Sequence, residues 1–323
     1  MVSTLHRVSI ATTARLHLGF LDMHGGLGRR FGSLGLSLQE PVTRLTMEPA
    51  SHLEVMGPEA PRVEKLLSYL ATEFGWQEPV RVRVESAIAS HAGLGSGTQL
   101  AMAVGMARSL LSSKPATLHQ LANSLDRGNR SGIGIGAFQW GGFLVDGGRG
   151  PEDNPPPIIS QLPFPEHWAV ILIMDEEFVG IHGDAEKTAF AQLPRFPEAA
   201  AARLCHLTLM QVLPAVVEAN LPVFGAAISE IQRTVGDHFA PAQGGRYTSP
   251  RVAQVLASLE AQGVSCLGQS SWGPTGFAVV ESRSRAHELV QALQQSLPEN
   301  STLKMLVTHG RNAGAEISPL HRE

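Results

Sequence analysis

Between Ser90 and Gln99 the chain reads Ser-His-Ala-Gly-Leu-Gly-Ser-Gly-Thr-Gln, with Gly93, Gly95 and Gly97 alternating. Glycines at that spacing let a backbone pass close to a ligand. The hydroxyls of Ser96 and Thr98 are suited to capping a helix, binding phosphate or holding a metal ion. A strand-like run, Val80 to Glu85, alternates apolar and charged side chains before the loop, and a small-residue helix from Leu100 to Leu111 follows it. Strand, glycine loop and helix start together make an anion site, because the first helical amides lack partners and point at the ligand. A capped tight turn would need fewer glycines, so phosphate binding is the stronger reading.

A second glycine-rich loop, Arg127-Gly128-Asn129-Arg130-Ser131-Gly132-Ile133-Gly134, leads into Ala137 to Trp140, then Gly141-Gly142 and a strand from Phe143 to Asp146. Two glycine loops, one flanked by arginines, suggest a polyphosphorylated ligand. Upstream, the loop from Asp22 to Ser33 carries Asp22, His24, Arg29 and Arg30 among four glycines. A solvated hairpin tip accounts for His24 better than for the arginine pair. Two late turns are polar where a fold alone does not require it: Gly268 to Thr275, with Gln269, Ser270, Ser271 and Trp272, and Thr308 to Ala315, with Arg311 and Asn312. His182 and Glu186 stand four apart, as a metal pair on one helical face would, or as a charged helix opening would. No third ligand lies near them in sequence.

These residues need a scaffold, and the length of 323 residues allows two domains with sizeable cores. Hydrophobic residues make up 43% and charged residues 17%, and the net charge of −4 argues against a nucleic-acid partner. The pattern is α+β, with strands early and, later, helices at 198–219, 223–238, 250–261 and 285–296. Pro214 inside the first of these predicts a kink or break. A helix at 61–74 has Val63, Leu66, Leu67 and Leu70 on one face. The proline-rich stretch Pro151 to Pro165 is the expected linker, dividing domains at 1–160 and 161–323. Cys205 and Cys266 form no CxxC pair and are expected as buried free thiols. No leader or membrane span is evident, so the expectation is a soluble cytoplasmic protein, by default a homodimer.

The two glycine loops, Gly141-Gly142 and the late turn resemble, in order, the signature regions of the GHMP superfamily of galacto-, homoserine, mevalonate and phosphomevalonate kinases. That resemblance implies an N-terminal β-α-β domain with a left-handed crossover and a C-terminal ferredoxin-like domain. Within the superfamily the chain resembles the β-ribofuranosylaminobenzene 5'-phosphate synthase family. The match rests on Ala14-Arg15-Leu16-His17-Leu18-Gly19-Phe20-Leu21-Asp22, Gly93 to Gln99, Ser131-Gly132-Ile133-Gly134, Gly141-Gly142-Phe143, Gln269 to Pro274 and Asn312 to Ala315. The family is a pentosyltransferase family: it condenses phosphoribosyl pyrophosphate with 4-aminobenzoate, releasing CO2 and pyrophosphate, in tetrahydromethanopterin biosynthesis, with Mg2+ the expected ion.

The resemblance implies roles. The Gly93–Thr98 loop holds pyrophosphate, with Arg130, Ser131 and Gly132 beside it. Asp22 stabilises the cationic sugar, holds its hydroxyls or ligates metal with Ser96, and Glu186 is a further candidate. An arginine among Arg15, Arg29, Arg30 and Arg311 clamps the aromatic carboxylate, and His17 orients a phosphate or the aromatic amine. In kinases of this superfamily the second loop carries a catalytic aspartate where this chain has Gly134. A kinase needs that group to handle the acceptor proton. The synthase does not, because CO2 leaves in place of a proton. An ATP-dependent small-molecule kinase and a non-catalytic phosphate-ligand sensor are the alternatives.

Overall fold

The computed structural model describes residues 5–152, 154–178, 193–298 and 301–321; His182 and Glu186 lie outside them. Two long strands set the frame. β1 (Leu5–Asp22) runs antiparallel to β2 (Phe31–Pro49), in register from Val8↔Met47 to Asp22↔Phe31. The sequence suggests two separate short strands within 34–48; the structure joins them into one. β2 then forks. Its first residues pair with β5 (Phe143–Asp146) and its last with β4 (Val80–Ser86). β3 (Glu54–Met56) lies parallel to β4 and is joined to it through α1 (Ala60–Phe74), which is the β-α-β unit.

The stretch expected as a linker contributes β6 (Ile158–Leu162), paired with β5. Its prolines fall at 151, 155–157, 163 and 165, so every residue of the strand keeps its amide donor. On the far side of β1 lies β11 (Glu316–His321), with Pro319 on a sheet edge where a missing N–H is tolerated. The sheet has seven strands among the described residues. The expected boundary after residue 160 falls inside β6, and β11 returns the chain to the first sheet.

α2 (Ser96–Leu110) is buried along most of its length, which its run of Ala101, Ala103, Gly105 and Ala107 permits. It packs between this sheet and α1, α3 (Leu118–Ser124) and α4 (Ile133–Gln139). Val8, Ile10, Leu45 and Met47 close that core from the sheet side.

The second sheet is antiparallel. β7 (Ala169–Asp175), β8 (Cys266–Gln269), β9 (Gly276–Val280) and β10 (Leu303–His309) lie in the order β10-β7-β9-β8, the ferredoxin-like arrangement. Its helices are α5 (Glu198–Leu207), α6 (Leu213–Val217), α7 (Leu221–Gln243), α8 (Pro250–Ala261) and α9 (Arg283–Ser296). Pro214 does break the predicted 198–219 helix: the backbone widens into a π turn over Thr208–Val212 and restarts at α6. β7 is apolar on both faces. Ala169, Ile171 and Ile173 face α8 and α9, while Val170 and Leu172 join a core shared with Leu16, Leu18, Leu34 and Leu36 of the first sheet. α7 supplies Phe224, Ile228 and Ile231 to that shared core, so the two sheets are mortared into one body. Cys266 is buried, but Cys205, expected buried, is exposed on α5.

Candidate active site

The glycine loop is built by close approach. Gly93 and Gly95 have φ of +80° and +81°. A Cβ at Gly93 would lie 2.4 Å from the Ser270 carbonyl oxygen and 2.9 Å from Gly273 Cα, so the turn from the second sheet presses directly on the loop. Gly95 caps α2 without a side-chain hydrogen bond. The helix begins at Ser96, four residues earlier than the sequence suggests. The amides of Thr98 and Gln99 return to the Gly95 carbonyl at 3.1 Å, which leaves those of Ser96 and Gly97 facing outward at the positive end of the helix.

β1 carries two polar side chains to this mouth. Arg15 binds the loop twice: its amide donates to the Leu94 carbonyl at 3.0 Å and Nη1 to the Gly93 carbonyl at 2.7 Å. Its Nε is buried without a partner, and burial lowers its pKa to about 10, so it stays charged at neutral pH. His17 is 4% exposed. Its amide donates to Ser270 Oγ at 3.0 Å, and that hydroxyl donates to the Gly93 carbonyl at 2.8 Å. Burial first, then the charges of Arg15 and Arg130, lower the His17 pKa to about 3, leaving a neutral ring at physiological pH. Nε2 of this neutral ring is buried without a hydrogen-bond partner. The ring stands edge-on to Phe20 at 4.6 Å, and with Phe239, Trp272, Gln232, Gln269 and Ser271 it lines a narrow slot of about 30 Å³.

Other residues singled out from sequence do structural work. Gln99 is fully buried, its oxygen on the Thr12 hydroxyl and its amide on the Gly134 carbonyl. Ser131 and Gly132 both donate to the buried Asp146, whose carboxyl also receives the Gly148 amide; burial pushes its pKa up to about 6 despite these bonds. Arg29 spans the carbonyls of Gly147 and Gly148, and Arg30 bonds the Met23 carbonyl while lying over the Phe31 ring. Asp22, at the end of β1, accepts the Gly25 amide and turns the hairpin. Arg311 is tied to Glu316 and the Gly314 carbonyl, and Asn312 clasps Phe164 through both ends of its amide. Gln269 accepts the Thr248 amide and donates to the Ser271 carbonyl. The structure therefore gathers Arg15, His17 and Ser270 at the loop, with the charge of Arg130 acting on His17, and ties Gln99, Ser131, Arg29, Arg30, Asp22, Arg311 and Asn312 to neighbouring protein groups.

Gly134 and Gly141 are explained by packing. A Cβ at Gly134 would lie 3.0 Å from Thr98 Cγ2, and one at Gly141 2.3 Å from the Ala313 carbonyl oxygen. The first lets α4 close on α2; the second docks the turn before β11. Two arginines at the loop were not singled out as site residues from the sequence. A Cβ on Gly97 would meet Arg62 Nη2 at 2.7 Å and Arg127 Nη1 at 3.7 Å. Arg62 did leave a trace: a cation in the first turn of α1 opposes the helix dipole. A cavity of about 560 Å³, lined by Arg251, Ser258, Leu297 and Thr302, shares no residue with the loop.

The chain matches the family model described as GHMP kinases N terminal domain over residues 62–142 and that described as GHMP kinases C terminal over 212–299. Beta-ribofuranosylphenol 5'-phosphate synthase of Archaeoglobus fulgidus is 32% identical, over 95% of this chain and 98% of that protein. The protein of the same name from Methanothermobacter thermautotrophicus is 30% identical over 95% and 97%. Among solved structures, homoserine kinase from Cytophaga hutchinsonii superposes with a TM-score of 0.64 at 16% identity, covering 98% of this chain and 99% of that one. Mevalonate diphosphate decarboxylase from Staphylococcus aureus gives 0.65 at 14% identity over the same shares, a likeness of fold. With its GHMP fold and these relatives spanning nearly its whole length, the chain belongs to the beta-ribofuranosylphenol 5'-phosphate synthase family.

Proposed function

We propose that this chain is a decarboxylating pentosyltransferase: it joins phosphoribosyl pyrophosphate to a para-substituted benzoate and releases CO2 and pyrophosphate, a step toward tetrahydromethanopterin. The observation that carries the reading is the pairing of Arg15 with His17 on one strand against the glycine loop, the guanidinium charged and the ring neutral. The Gly93–Gly95 side of the loop, the Ser96 amide and Arg15 stabilise the charge that grows on pyrophosphate as the C1–O bond breaks. The ring carbon bearing the carboxylate bonds to C1. The carbon–carbon bond to CO2 then breaks and its electron pair restores the aromatic ring. No proton leaves the attacking carbon, so no base is needed where kinases of this fold keep an aspartate, and Gly134 is packed too closely on Thr98 to be replaced by one without movement.

His17 Nε2 accepts a hydrogen bond from the para amine or hydroxyl, whose donation activates the ring. The name borne by the relatives speaks of a phenol, the product a para-hydroxy acceptor leaves; both acceptors belong in the test. Mg2+ fits the donor set in a limited way. No cluster of three carboxylate, histidine or cysteine ligands occurs among the described residues, so a hard cation would take most of its ligands from the diphosphate and water, with Ser96 the protein oxygen on offer; Asp22, seven residues along β1 from Arg15, lies too far from the loop to share it. Bound there it would neutralise diphosphate charge. The test is release of labelled CO2 from carboxyl-labelled 4-aminobenzoate and 4-hydroxybenzoate with phosphoribosyl pyrophosphate and Mg2+. No release from either by folded protein overturns the proposal, and ADP formation from ATP with a small alcohol would replace it with a kinase.

A further inference from the structure

The glycine loop has two charged sides. Gly93 and Gly95 face Arg15 and the 270–273 turn, whereas Gly97 faces Arg62 and Arg127. The second pair is electrostatically unfinished. Both guanidiniums lie within 4 Å of one point, the place a Gly97 Cβ would occupy, and burial together with the charge of Arg62 lowers the pKa of Arg127. Arg127 Nε is buried without a hydrogen-bond partner. The groups nearby compensate the pair in part: Glu59 and the Ser90 hydroxyl meet Arg62 at 3.4 and 3.3 Å, and the charge of Asp126, which is bonded to Asn129, is outweighed at Arg127 by burial and Arg62. Charge-assisted bonds run nearer 2.8 Å. Two cations held together beside outward amides, in a protein with net negative charge, are stable company only with an anion between them.

We infer that Arg62 and Arg127 form a second anion subsite that takes the 5'-phosphate of the sugar substrate, separate from the Arg15 side that takes the diphosphate. The inference rests on the proposed function for the identity of the sugar. The assignment follows from where the chemistry must occur. The reacting carbon carries the diphosphate and must meet the aromatic acceptor, and His17, which the proposed function turns to the acceptor, stands two residues from Arg15 on the same strand. The group at the other end of the sugar then falls to the other side of the loop, where two planar forks suit a phosphate monoester.

The experiment is calorimetric titration of the full chain with ribose 5-phosphate and, separately, with inorganic pyrophosphate and Mg2+. Arg127→Gln and Arg62→Gln should each weaken ribose 5-phosphate by roughly tenfold or more, the worth of a charge-assisted bond, and leave pyrophosphate within about twofold. Arg15→Met should do the reverse. Equal weakening of both ligands by Arg127→Gln and Arg62→Gln, or of neither, overturns the inference, as does wild-type protein that binds pyrophosphate but not ribose 5-phosphate. Arg62, at the surface, serves where Arg127→Gln does not fold. Labelled CO2 release by the wild type is read in parallel: its loss would refute the synthase reading, while the two titrations still report whether the subsites are separate.

Discussion

Replacing Arg15 by methionine separates a binding residue from a structural one. The guanidinium is held at a pKa of about 10 in place of 12.5, a charge penalty of about 3 kcal/mol at most, since the side chain keeps some solvent contact. Its bond to the Gly93 carbonyl returns about 1.5–3 kcal/mol. That carbonyl keeps the Ser270 hydroxyl when Arg15 is gone, so no orphaned acceptor is left. Methionine refills the volume of the stem. The two terms nearly cancel, and Arg15→Met should leave the ligand-free Tm unchanged or raise it by about 2–4 °C. Pyrophosphate affinity should fall by about 10- to 150-fold over the same energy range. Scanning calorimetry with and without Mg-pyrophosphate reads both quantities in one series. A ligand-free Tm lowered by more than about 5 °C with unchanged pyrophosphate affinity would show that Arg15 is a strut for the loop, and the proposed chemistry would lose its main cation.

Three further outcomes are expected. Because His17 titrates near 3 when folded and near 6.5 when unfolded, the unfolded chain binds the extra proton between those values, so this contribution is intact above pH 6.5 and erodes as pH falls toward 3. The erosion is about 2 kcal/mol by pH 5, and His17→Phe should remove that slope from a urea-melt pH series; an unaltered slope would place the titration elsewhere. Gly134→Asp should cost about 1–3 kcal/mol by pushing on Thr98 and should produce no ADP from ATP, so a gain of kinase turnover would refute the packing account. Gly141→Ala, at φ +72° and 2.3 Å from the Ala313 carbonyl, should destabilise the fold by more than about 2 kcal/mol, measured by denaturant midpoint, and a midpoint within error of wild type would contradict it.

What could be read from the residues was whatever local spacing encodes. Alternating glycines before an apolar helix announce an anion loop, and Arg15 and His17 two apart on a strand share one face of it. Polarity in a turn was a poorer guide. Arg311 and Asn312 were singled out because they are polar in a turn where a fold alone does not require it, yet Arg311 ties its own turn to Glu316 and Asn312 satisfies the Phe164 backbone across the fold. A one-dimensional pattern cannot tell a polar residue that binds substrate from one that binds the protein. Arg62 escaped for the converse reason: it stands 31 residues before Gly93, and only the packing of α1 on α2 brings it to the loop.

The pairing of β1 with β11 has a consequence for how the chain is made. Leu5 and His321 are register partners, and the Gly93 loop leans on Ser270. A ribosome that has completed the whole first glycine-loop module has therefore still to deliver the hydroxyl that steadies the loop and the strand that covers β1. Until those last residues emerge, one long flank of β1 is an unpaired edge, open to pairing with other nascent chains. Anion binding should thus appear late and all at once during synthesis, and a chain stalled before residue 266 should need a holdase to stay dispersed.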